Sequence, residues 1–66
     1  MQITINGEQR EVAEGTSVQR LLEEQELAGR RIAVEYNGEI LPRSTFAETR
    51  LQPGDTLEIV HAIGGG

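Results

Sequence analysis

The chain has 66 residues, eleven acids against six arginines, one histidine, a formal charge of −5 and an apolar share of 36%. One small domain is the limit at this length, and such a domain buries only about 60% of its unfolded surface, which leaves no room for an enclosed catalytic cleft beside a core. The acidic balance argues against nucleic acid and anionic membranes and suits a basic protein partner, while the lack of cysteine excludes disulfides, thiol chemistry and Cys-bound metal.

The pattern opens with a strand: Met1, Ile3 and Ile5 alternate with Gln2 and Thr4. Asn6-Gly7 follows as a two-residue hairpin signal, because both central residues of a type I′ turn need positive φ. A return strand over 8–12 then pairs Ile5 with Glu8, Ile3 with Arg10 and Met1 with Val12. Its polar sequence suits a sheet edge. Gly15 breaks the chain, and Thr16 to Gln19 reads as a capping box with Thr16 as N-cap. Val18, Leu21 and Leu22 form the apolar stripe of a helix ending near 25–27, with Glu23, Glu24 and Glu26 on its wet side and Gly29 in the loop beyond.

A third strand is expected over 32–36, a second hairpin turn at Asn37-Gly38, and a short return strand over 39–41 stopped by Pro42. Residues 43–50 show no periodicity, with Phe46 and Leu51 as anchors to the core. Gln52-Pro53-Gly54-Asp55 has the composition of a type II turn. The last strand is expected over 56–62, with Leu57 and Ile59 facing the core and Glu58 facing away. One helix must cover the sheet, and a right-handed crossover lets the first and last strands lie parallel at its centre. This is an α+β β-grasp arrangement, a mixed sheet of four or five strands with one main helix across it.

Few side chains offer chemistry. A single histidine, His61, cannot build a metal site and reads as a rim residue. Glu23 and Glu24 are adjacent and point to different sides of the helix, and the glycines after Asn6, Asn37 and Pro53 are turn glycines without phosphate-loop spacing. No catalytic or metal-binding residue is expected. What stands out is the sequence after the last strand, Gly64-Gly65-Gly66. Three glycines reach at most about 10 Å and have minimal girth, which suits a thread entering a narrow slot in another protein. The Gly66 carboxylate is inert by itself. Adenylated by an ATP-using partner it becomes an electrophile, and sulfide or a persulfide displacing AMP leaves a thiocarboxylate.

The whole chain resembles the ThiS family, the small sulfur carriers of thiazole formation in bacterial thiamine biosynthesis. The matching stretches are Met1-Gln2-Ile3-Thr4-Ile5-Asn6-Gly7-Glu8, Thr16-Ser17-Val18 with Leu21-Leu22, and Ile32-Ala33-Val34-Glu35-Tyr36-Asn37-Gly38-Glu39-Ile40 with Pro42-Arg43. Leu51, Gly54-Asp55-Thr56-Leu57-Glu58-Ile59-Val60 and Ala62-Ile63-Gly64-Gly65-Gly66 complete the match. The resemblance implies a ubiquitin-like β-grasp domain over 1–63 and a flexible tail over 64–66. It implies a sulfur-carrying co-substrate rather than an enzyme, with no cofactor of its own. Gly66 would be the modified residue, and Gly64 and Gly65 would thread into partner enzymes. The partners would be an E1-like adenylating enzyme of the ThiF type using ATP, a thiazole synthase of the ThiG type, and a sulfur-donating protein. Val60, Ala62 and Ile63 are expected to contribute to the docking surface. Phe46 stands where the family often has Trp and reads as a core substitution.

Three other readings stay open: a sulfur carrier for tRNA thiolation or molybdopterin synthesis, a ubiquitin-like modifier joined to target lysines, or a plain interaction module. With no stretch approaching the roughly 18 apolar residues of a spanning helix and no leader pattern, the expectation is a cytoplasmic protein, monomeric when free, bound to neither membrane nor nucleic acid.

Overall fold

The computed structural model describes residues 1–61. Its elements run β1 (Gln2–Ile5), β2 (Glu8–Glu11), α1 (Val18–Glu24), β3 (Ile32–Tyr36), β4 (Glu39–Leu41), a 3₁₀ turn (Arg43–Thr45) and β5 (Thr56–His61). The five strands form one sheet in the order β2-β1-β5-β3-β4. β1 and β5 are parallel at its centre, and every other pair is antiparallel.

The two Asn-Gly turns set this register. Asn6 and Gly7 have φ of 51° and 82°, and Asn37 and Gly38 have 50° and 88°, the positive pairs that a type I′ turn requires. Ile5 therefore faces Glu8 and Ile3 faces Arg10, as the turn length dictates. At the second turn Tyr36 faces Glu39 and Val34 faces Leu41. Alternation sends Ile3, Ile5, Ile32, Val34, Leu57 and Ile59 to one side, where Val18, Leu21 and Leu22 of α1 close over them together with Phe46 and Leu51. The polar β2 lies at the edge with all its residues exposed.

Two features differ from the sequence expectation. The helix N-cap is Ser17, not Thr16: the Ser17 hydroxyl accepts from the Arg20 N–H at 3.1 Å. Thr16 is engaged elsewhere, because its carbonyl accepts from the Leu51 N–H at 2.8 Å and its hydroxyl donates to the Ala13 carbonyl at 2.6 Å. Gln19 thus falls one residue short of the capping-box position, and its N–H donates to the Phe46 carbonyl at 3.1 Å instead. The aperiodic stretch 43–50 contains a 3₁₀ turn that brings Phe46 under the helix start, where the Val18 N–H donates to the Thr49 carbonyl at 2.9 Å.

The helix ends in a Schellman motif. The Leu27 N–H donates to the Leu22 carbonyl at 2.7 Å and the Glu26 N–H to the Glu23 carbonyl at 3.1 Å. Glu26 occupies the left-handed position at φ 60°, where a Cβ is unfavourable, and its charge sits at the negative end of the helix dipole. Glu26→Gly is therefore expected to stabilise the domain by about 1 kcal/mol. A thermal melt should show a rise of about 4–8 °C, and an unchanged or lower midpoint refutes the assignment.

At the β3–β5 end opposite His61, a polar knot forms around the buried Asp55 carboxylate. Asp55, 8% exposed, accepts from the Tyr36 hydroxyl, the Gln52 N–H at 2.7 Å and Asn37 Nδ2 at 3.3 Å. Burial first, then the hydrogen bond to Asp55 and its negative charge, push the Tyr36 phenol up to about 12.

Candidate functional site

The strand leading to the glycines is the central one, and it is held on both sides. β3 pairs along its whole length, from Tyr36 opposite Leu57 to Ile32 opposite His61. β1 pairs only at its start, through Thr4 with Thr56 and Ile5 with Leu57. Beyond that point the chain of β1 turns away, and the Asn6 side chain takes over the ladder. Asn6 Oδ1 accepts from the Ile59 N–H at 2.8 Å, and Nδ2 donates to the Ile59 carbonyl at 3.2 Å. Asn37 plays the matching part at the start of β5, where its Oδ1 accepts from the Thr56 N–H at 2.9 Å. A sequence reading sees these asparagines as turn formers only. The available signal is that Asp-Gly or Gly-Gly would also make the turn, whereas only Asn supplies both a donor and an acceptor.

The open face of the sheet carries the expected docking residue. Val60 lies opposite Ala33 on the side away from Leu57 and Ile59, and is 55% exposed. Ile40, 65% exposed, shares that face because it pairs with Glu35, whose other neighbour is Glu58. Ile40 was not among the expected docking residues, although the two-residue turn at Asn37-Gly38 already fixes which way it points. Glu35 and Glu58 stand directly opposite each other, an unfavourable cross-strand pairing, and neither joins an ion pair among the described residues. The face therefore offers two apolar side chains and a pair of carboxylates to a partner. Ala62, Ile63, Gly64, Gly65 and Gly66 lie outside the described residues.

No enclosed substrate site accompanies this face among the described residues. A cavity of about 40 Å³ between the helix end and the 3₁₀ turn is lined by Leu22, Leu27, Arg30, Arg43 and Phe46, far below the roughly 300–1,000 Å³ of small-molecule sites. A hollow of about 260 Å³ beside Met1, Leu51 and Pro53 is open to solvent. No group of three or more His, Cys, Asp or Glu among the described residues could hold a metal, and no helix there is long and apolar enough to cross a membrane.

Parallel first and last strands at the centre of a mixed sheet, with one helix across it, define a ubiquitin-like β-grasp protein. Its last strand runs on toward three glycines. The family model described as "ThiS family" matches residues 3–66, and the chain belongs to that family. The sulfur carrier protein ThiS of Escherichia coli is 37% identical over 68 residues, covering the whole of both chains. A thiazole synthase of Paramagnetospirillum magneticum is 46% identical over 66 residues, and this chain spans 20% of its length. The crystal structure of the thiamine biosynthesis protein ThiS from Geobacter metallireducens superposes with a TM-score of 0.87 at 38% identity, covering both chains fully.

Proposed function

We propose that this chain is a sulfur carrier for thiazole formation in thiamine biosynthesis, loaded as a thiocarboxylate on Gly66. The observation that carries the reading is the end-to-end likeness to the sulfur carrier ThiS of Escherichia coli, over 100% of both chains. The family match running through residue 66 supports placing the chemistry on the last glycine.

The chain supplies a carboxylate, and partners supply the rest. In an E1-like adenylating enzyme of the ThiF type, a Gly66 carboxylate oxygen attacks the α-phosphorus of ATP. Pyrophosphate leaves and a mixed anhydride forms. Hydrosulfide, delivered by a sulfur-donating protein, adds to the acyl carbon; AMP leaves with the bonding pair, one proton is released, and the thiocarboxylate remains. No electron is gained or lost. Gly64 and Gly65 keep the thread thin enough to bring the carboxylate to buried phosphates. The receiving partner is a thiazole synthase of the ThiG type, a choice supported by the likeness of this chain to a fifth of the Paramagnetospirillum magneticum thiazole synthase. Val60, with Ala62 and Ile63 beyond it, forms the docking surface. Ile40 extends it, and the Glu35/Glu58 pair favours a partner with Arg or Lys at that point.

The test is an intact mass of the chain after incubation with its adenylating enzyme, ATP and sulfide. A gain equal to sulfur replacing one oxygen, which the thiazole synthase from the same genome then discharges, is the expected result. An unchanged mass with an enzyme proven active on another carrier overturns the reading.

A further inference from the structure

The structure assigns Asn6 a role beyond its turn: we infer that it is a positioning residue for the carrier's reactive end, the lateral grip that fixes the direction in which β5 delivers the chain toward Gly66. The inference rests on the proposal that Gly66 is the reactive residue.

The case starts from a mismatch in strand length. β1 stops at Ile5, opposite Leu57, while β5 continues to His61. In a strand, alternate residues turn their backbone groups to opposite neighbours. Those of Leu57 and Ile59 face β1, where the Asn6 N–H donates to the Leu57 carbonyl at 2.9 Å. Ile59 has no β1 residue left to meet. Both its N–H and its carbonyl are taken by the one side-chain amide of Asn6, at 2.8 and 3.2 Å. The amide thus acts as one more peptide unit of β1, and it makes the last hydrogen bonds to β5 on this edge among the described residues.

Past Asn6 the strand is paired, among the described residues, on one side only, by β3 through Ala33–Val60 and Ile32–His61. A strand held along one edge can swing about it, and a small angular change at Ile59 is magnified toward the chain end. A thread that must place one carboxylate against a phosphorus atom is sensitive to such an error, since a misplacement of about 1 Å can cost about 100-fold in rate. Asn6 meets two demands at once. Its φ of 51° closes the hairpin turn, and its amide holds the strand that leads to the site. Aspartate would serve the turn but would set an oxygen against the Ile59 carbonyl, and glycine would serve the turn and reach nothing.

The molecule contains its own control. Asn37 sits in an equivalent turn at φ 50° and holds β5 at Thr56, the end away from the glycines. Asn6→Gly and Asn37→Gly each keep a residue suited to positive φ and remove one amide grip. Amide hydrogen exchange on the free chain is read first. Asn6→Gly is expected to accelerate exchange at Ile59, whose N–H loses its acceptor, by about 10-fold or more relative to the global rate of the same variant, and Asn37→Gly is not. Carrier-dependent exchange between ATP and pyrophosphate by the adenylating enzyme is read second. Asn6→Gly should lower kcat/KM by about 10-fold, with Asn37→Gly within about twofold of the parent. Asn6→Asp, a change of one atom, should shift both readouts in the same direction should Asn6→Gly prove too unstable to assay. Equal behaviour of the Asn6 and Asn37 variants, or local exchange at Ile59 no faster than the global rate, overturns the inference. A parent chain that supports no ATP–pyrophosphate exchange overturns the carrier reading instead, and the two failures are separable because amide exchange needs no partner.

Discussion

Removing Gly66 is expected to abolish sulfur loading outright while leaving the melting temperature unchanged. The fold supports the second half of that expectation. Every buried apolar side chain among the described residues lies at or before Ile59, and the described pairing of β5 ends at Ile32–His61. Gly66 contributes no side chain to any of it. The first half follows from reach. Without Gly66 the terminal carboxylate belongs to Gly65 and falls short by one extended residue, about 3.5 Å. That shortfall is as large as the separation of the reacting atoms in a near-attack geometry, about 3–3.5 Å. The drop in kcat/KM for carrier-dependent ATP–pyrophosphate exchange should exceed about 100-fold, and the intact mass should show no sulfur-for-oxygen gain. A deletion variant that loads at more than a tenth of the parent rate would refute Gly66 as the reactive residue. Equal melting curves for the two chains are the companion control, since a shared loss of stability and activity would point to the fold instead.

The parts of the molecule visible in its sequence are those governed by neighbours in the chain. Asn6-Gly7 and Asn37-Gly38 each fix a turn, the turn fixes a register, and the register decides which residues reach the core. The Val18, Leu21, Leu22 stripe needs only helical periodicity to be read. Where long-range contacts compete, local signals mislead. Thr16 and Ser17 are both good caps, and the choice falls to Ser17 because the bridge near Arg50 and Leu51 recruits the Thr16 backbone. The 3₁₀ turn at Arg43–Thr45 has no periodicity of its own and owes its place to Phe46, buried under the helix. The amide grips of Asn6 and Asn37 on β5 join residues far apart in sequence, so composition alone does not reveal them. The chemistry shows the opposite balance. The glycines are plain in the sequence, and the fold adds what stands beside the strand that leads to them: Asn6 at its edge, Val60 and Ile40 on its open face.

The largest single loss of stability outside the apolar core is expected from Asp55→Ala. The carboxylate serves three donors, from Tyr36, Gln52 and Asn37, and Asn37 in turn holds the first residue of β5. Removing it takes the acceptor from the half-buried Tyr36 hydroxyl and from two donors nearer the surface, at a cost of about 3 kcal/mol for hydrogen bonds to a charged acceptor. A domain of this size has a total stability of only about 3–10 kcal/mol, so the midpoint of a thermal melt should fall by roughly 12 °C or more. A loss under about 1 kcal/mol would mean that water satisfies the donors and the knot adds little. The same group gives the domain a defined alkaline limit. Tyr36 is the only tyrosine and the chain has no tryptophan, so tyrosinate absorbance reports this one residue. Its folded value is raised to about 12, against about 10 in the unfolded chain. The fold therefore favours the neutral phenol. Its contribution is complete below pH 10 and fades as pH rises from 10 through 12, where the unfolded chain releases the proton first. Titrated at low temperature, the parent should show its tyrosinate midpoint near 12. In Asp55→Ala the acceptor and its negative charge are both gone, leaving burial alone to raise the value, so the midpoint should move down toward 10 while the chain remains folded. A parent that titrates near 10 without unfolding would show that the phenol does not donate to Asp55, and the predicted cost of removing that carboxylate would fall with it.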